Sequence, residues 1–144
     1  MEKKVLIFMT AVLVLMLAVF IFVPAPRPNS PRTNPDLKLY NLEVNQIVSS
    51  PLLILGEVKG SWYFEASFPV TLEDASGNIL AQLPAEAKGD WMTTSSVPFE
   101  VKLDFKIPLT KTGFVIFSPD DPSGLGKNKD KTVKIPIIFE NYTP

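Results

Sequence analysis

The chain contains no cysteine and no histidine. Without cysteine there is no disulfide framework and no thiolate nucleophile. Without histidine there is no imidazole base and no His or Cys ligand for zinc. Charge of one sign is lacking too, because 14 Lys and Arg stand against 15 Asp and Glu, for a net charge of −1. That balance excludes the basic footprint of a nucleic-acid binder. At 144 residues, the length allows one ordinary domain and a short appendage rather than a multidomain enzyme.

What is present is unevenly distributed. Val5 to Val23 is an unbroken apolar run whose only polar member is Thr10. As a helix it spans about 28 Å, close to the hydrocarbon thickness of a bilayer. The apolar region of a cleaved signal peptide is shorter, roughly 7 to 15 residues. Here the exit, Val23-Pro24-Ala25-Pro26, puts proline directly after the small residue that a signal peptidase would use. Residues 1–23 therefore read as a cytoplasmic tip and an uncleaved signal anchor, with Lys3 and Lys4 inside and the remainder extracytoplasmic. The alternative is a soluble domain secreted after cleavage behind Ala25.

Residues 24–36, PAPRPNSPRTNPD, fix φ repeatedly and withhold backbone donors, which makes a stiff polyproline linker. Its reach is up to about 40 Å at ~3.1 Å per residue.

From Leu37 the hydrophobic period becomes two. In Trp62 to Leu72 every even position is apolar, and Phe99, Val101, Leu103, Phe105, Ile107 and Leu109 repeat the pattern. Further strands are expected at Tyr40 to Val44, Leu52 to Val58, Ile79 to Leu83, Phe114 to Ser118 and Val133 to Glu140, separated by Gly-, Pro- and Asp-rich turns. Residues 37–144 are thus predicted to form an all-β, antiparallel, immunoglobulin-like sandwich of seven or eight strands. Trp62, Phe64, Phe68, Phe99, Phe105, Phe114 and Phe139 are its large core candidates. Pro69 and Pro136 each remove a ladder donor and predict edge positions or bulges.

The order IVSSPLLILGEVKG from Ile47, WYFEASFPVTLED from Trp62, SGNILA from Ser76, GDW from Gly89, PFEVKLDF from Pro98 and IPIIF from Ile135 resembles the immunoglobulin-like domain of bacterial spore germination. The resemblance covers about Leu37 to Glu140. It implies a cell-envelope module built as an immunoglobulin-like sandwich, and it carries no catalytic residue and no cofactor.

Candidate chemistry is sparse. Asp120-Asp121-Pro122-Ser123-Gly124 gathers oxygen ligands of the type that holds calcium, but without EF-hand spacing, so it reads as a solvated turn. Glu73 and Asp74 are neighbours on a strand and point to opposite faces, which excludes a shared acid/base role. A hydrolase using carboxylates such as Asp120 and Asp121 is the enzymatic alternative, and no motif points to its pocket. The binding-surface candidates are Trp91 and Met92, an aromatic pair in a loop, and the lysines Lys127, Lys129 and Lys131, which with Lys134 form a small basic stretch. Trp91 reads as a lid over the sandwich. The lysines suit a solvated face or contact with anionic wall polymer or lipid headgroups. The expected activity is binding or scaffolding of an envelope protein or wall polymer without catalysis, with residues 5–23 in the bilayer.

Overall fold

The computed structural model describes residues 34–126 and 128–144. The proposed anchor, most of the linker and Lys127 lie outside the described residues, among which no helix is long and apolar enough to cross a membrane. Eight strands are present: β1 (Leu37–Leu39), β2 (Gln46–Val48), β3 (Leu52–Lys59), β4 (Ser67–Asp74), β5 (Ile79–Ala87), β6 (Ser96–Leu103), β7 (Thr112–Phe117) and β8 (Val133–Phe139). Their hydrogen-bonded order is β1-β3-β6-β5-β4-β7-β8-β2.

The array turns a corner at β5. Most of that strand pairs with β4, but its pairing with β6 is confined to Glu86 opposite Glu100 and Ala87 opposite Phe99. A three-stranded layer, β1-β3-β6, is thereby folded over a five-stranded layer, β5-β4-β7-β8-β2. Strict alternation puts one face of each layer inside. Val58, Val97, Val101 and Leu103 face Val70, Leu72, Val115 and Ile137. Phe99 of β6 bridges the layers, 5.0 Å from the Phe68 ring of β4 and 6.2 Å from the Phe117 ring of β7. Edge-to-face and tilted pairs of this kind add to the area they bury.

The strands are not all antiparallel, as the sequence had suggested. The segment after β1 crosses between layers, so that β2 runs parallel to β8, with Ile47 opposite Ile138. No strand forms over Tyr40 to Val44. Instead Asn41 accepts from the Leu55 N–H through Oδ1 and donates through Nδ2 to Leu53, fastening the crossing segment to β3.

Three further expectations are corrected. The run from Trp62 is interrupted: Gly60–Trp62 form a 3-10 turn, and Glu65 (φ 50°) and Ala66 (φ 64°) are left-handed, so β4 begins only at Ser67 and Phe64 is exposed. The strand from Phe99 ends at Leu103, leaving Ile107 and Leu109 exposed in the following loop. In β7 the inward residues are Val115 and Phe117, while Phe114 sits half-buried on the outer face.

The prolines are accommodated inside the sheet. Pro69 lies directly opposite Pro84. With no N–H on either side, that position can only be a non-hydrogen-bonded pair, where no donor is wanted. The register shift between β4 and β5 falls instead opposite Leu72 and Glu73, where Leu80 of β5 is the extra residue. Pro136 keeps its carbonyl role in interior strand β8, accepting from the Asn45 N–H at 2.7 Å.

The two outer surfaces differ. That of β1-β3-β6 carries Lys38, Glu57, Glu100 and Lys102, with Lys38 3.7 Å from Glu57. That of the five-stranded layer mixes Phe114, Ile116, Pro136 and Ile138 with Thr71, Glu73, Gln82, Glu86 and Lys134.

Candidate functional site

The connections β3–β4, β5–β6 and β7–β8 all emerge at one end of the sandwich, where the described chain also enters. The β3–β4 connection begins with the 3-10 turn, and Gly60 at its start is the contact point. A Cβ there would meet the Thr93 carbonyl oxygen at 2.0 Å and that of Trp91 at 2.5 Å, so only glycine lets the two backbones touch. The Gly60 N–H donates to Ser95 at 3.0 Å across the same junction.

The β5–β6 loop is shaped by its own side chains. Asp90 Oδ1 accepts from the Met92 N–H at 3.0 Å, and Thr93 Oγ1 accepts from the Ser95 N–H at 3.2 Å. Local side-chain acceptors of this kind replace a ladder in a turn. The third connection is tied down as well: the Asp120 N–H donates to Trp62 at 2.9 Å, and Asn128 Nδ2 donates to Asp120 at 3.1 Å.

Between the first two connections lies an open groove of about 630 Å³, lined by Asp36, Lys59, Gly60, Ser61, Tyr63 and the 91–94 segment. Tyr63 is buried beneath it. Its hydroxyl donates to Val97 at 3.0 Å, its ring stands edge-on to Phe68 at 5.3 Å, and burial pushes the phenol far above its ordinary pKa. It is a neutral fixture of the floor. Asp36 and Lys59 place opposite charges on the rim, joined through the backbone by the Lys59 N–H donating to Asp36 at 3.1 Å.

Trp91 is half-buried and packs against the core, the lid position expected for it, whereas Met92 beside it is 77% exposed. The structure therefore brings Trp91 and Met92 into one groove. Lys129 and Lys131 are not part of it. They lie in a short 3-10 turn of the β7–β8 connection, where Asn34, which accepts from the Asp36 N–H, donates to the Lys131 carbonyl at 2.9 Å. Lys127 lies outside the described residues. Lys59, Asp36 and Ser61 were missed as site residues, since nothing in their spacing announces a junction formed by distant loops.

The carboxylates take local roles. Asp121 accepts from the Ser123 hydroxyl, and among the described residues no group of three acidic side chains is placed to hold a metal ion. Asp74, only 2% exposed, closes the β4–β5 turn at the opposite end of the sandwich. It accepts from Asn78 Nδ2 at 2.8 Å and from the Ser76 and Asn78 N–H groups at 2.9 Å each. Those bonds, that from the Asn78 side chain foremost, hold its carboxyl below the ordinary range. Glu73 faces the other way, 3.2 Å from Lys134.

The layers β1-β3-β6 and β5-β4-β7-β8-β2, with loops gathered at one end and the first two strands in different layers, make an immunoglobulin-like β-sandwich. The chain belongs to the family of the immunoglobulin-like domain of bacterial spore germination, whose model matches residues 43–125. No curated protein and no solved structure matches it.

Proposed function

We propose that this chain is a non-catalytic binding or scaffolding module of the bacterial cell envelope. In this reading Val5 to Val23 anchor it in the membrane, the sandwich is extracytoplasmic, and an envelope protein or wall polymer is engaged at the loop end. The observation that carries the reading is the groove, where Met92 stands exposed beside Trp91 on a loop whose backbone is in close contact with Gly60. An apolar contact on a fixed backbone, rimmed by one acid and one base, suits recognition by surface complementarity. Support for a non-catalytic role comes from the family, from the absence of histidine and cysteine, and from Asp74, whose carboxylate is consumed by its own turn at the far end.

The test is a photo-cross-linking amino acid at Met92 of the full chain in intact cells, with the same group at Lys102 as control. One recurring envelope product is expected from Met92, falling by about tenfold, the equivalent of ~1.4 kcal/mol, when Lys59→Glu is added. Equal products from the two positions would remove the groove from consideration. Recovery of the protein in the medium, with Pro26 at its N-terminus, would overturn the anchor.

A further inference from the structure

The groove at the loop end offers polar side chains and holds back its main chain. Asp36, Lys59, Ser61 and Thr94 line it, and the side chain of none makes a hydrogen bond or ion pair among the described residues. Asp36 and Lys59 are half-buried. The register that sets Leu37 opposite Val58 continues to bring them side by side, with the Lys59 N–H on the Asp36 carbonyl. Even so, carboxylate and ammonium do not pair; the ion pairs among the described residues are Lys38–Glu57, Lys88–Glu100 and Lys134–Glu73.

The main-chain donors around these side chains are spent. The N–H groups of Lys59, Gly60, Met92 and Thr93 go to Asp36, Ser95, Asp90 and Trp91. A peptide added as an extra strand relies on such donors, and here it finds them taken. Charge excludes a second class of ligand. One acid beside one base leaves the rim neutral, so a phosphate polymer drawn to Lys59 is repelled by Asp36.

A sugar chain meets neither obstacle. Each of its hydroxyls both donates and accepts, so one neutral ligand satisfies a carboxylate, an ammonium and two hydroxyls together. The C–H faces of its rings are apolar and suit the surface that Trp91 and the 77% exposed Met92 provide. At about 630 Å³ the groove lies within the range of small-ligand clefts, roughly 300 to 1,000 Å³, and its open form lets a polymer run through.

We propose that the groove binds an uncharged glycan, the sugar strand of the wall. Asp36, Lys59, Ser61 and Thr94 hydrogen-bond its hydroxyls, and Trp91 and Met92 carry its C–H faces. The assignment rests on the groove being the binding site of the domain.

The chain has two tryptophans, and Trp62 is fully buried, so a ligand entering the groove changes the emission of Trp91. The full chain, held in a detergent without a sugar headgroup, is titrated with an N-acetylglucosamine tetramer. A saturable change in emission is expected. Asp36→Ala and Thr94→Ala are each expected to weaken binding about tenfold. Lys102→Ala, on the outer face of β6, is expected to leave it unchanged. Trp91→Ala is expected to abolish the heat of binding in calorimetry, while the emission of Trp62 reports that the core has kept its fold. No emission change and no heat from the sugar, equal affinity in the parent, Asp36→Ala and Thr94→Ala chains, or saturation by poly(glycerol phosphate) in place of the sugar would each overturn the proposal. A recurring protein product at Met92 with no response to the sugar removes the glycan and leaves the groove standing, whereas equal products from Met92 and Lys102 remove both.

Discussion

Asp74 shows how one residue can govern a turn. Its carboxylate is buried and ionised because three donors from Ser76 and Asn78 replace the water it gives up. A carboxyl whose folded pKa lies below its unfolded value of about 3.9 stabilises the fold at every pH above that value. That stability is lost as pH falls through the lower folded value. The thermal midpoint of the parent is therefore expected to drop in this acid window, and Asp74→Asn is expected to be less stable at neutral pH with a flatter acid limb. Parallel melting curves at all pH values would contradict the assignment. The turn itself was readable from Asp74-Ala75-Ser76-Gly77-Asn78, with Gly77 at φ 84°. The burial of its first residue was not, because a sequence does not say which donors converge.

At the scale of the element, phase decides what is core. The even positions of β4 were legible because Glu73 and Thr71 alternate with Leu72 and Val70, and the structure keeps that phase from Phe68 to Asp74. Upstream the same parity misled at Phe64, since two consecutive left-handed residues, Glu65 and Ala66, turn the chain, and neither is the glycine or asparagine that would have signalled it. In β7 both parities are apolar, so periodicity carries no information about which face is inside, and Phe117 rather than Phe114 proves to be the buried ring. Phe117→Ala is expected to cost about 3–5 kcal/mol by leaving a cavity beside Phe99. Phe64→Ala, at an exposed site, is expected to cost no more than about 1 kcal/mol. Denaturant unfolding of the two variants measures the difference, and the reverse order would move the inner face of β7.

The described domain is a sheet folded over itself, and its weakest border is where a strand has one neighbour. β1 contributes three residues and pairs only with β3, whereas β4 and β7 are paired on both sides and line the core. Amide hydrogen exchange is expected to release Leu37–Leu39 first and Val70, Leu72 and Val115 last, with the slowest set reporting global unfolding. Early exchange in β4 would place the core elsewhere. The loop-end groove belongs to this scale as well, and for that reason little of it was legible. Trp91 and Met92 stood out by composition, but the contact of Gly60 with the Trp91–Thr93 backbone joins segments about thirty residues apart and leaves no local mark.

The parallel pairing of β2 with β8 sets how the domain carries tension. Pulled between its two termini, the chain is drawn backwards along β2 and forwards along β8, so the two strands must slide past each other. The bonds of that short ladder are then strained together in shear, and not opened one after another as in a zipper. The domain thus has a mechanical clamp at the edge where its first strands change layers.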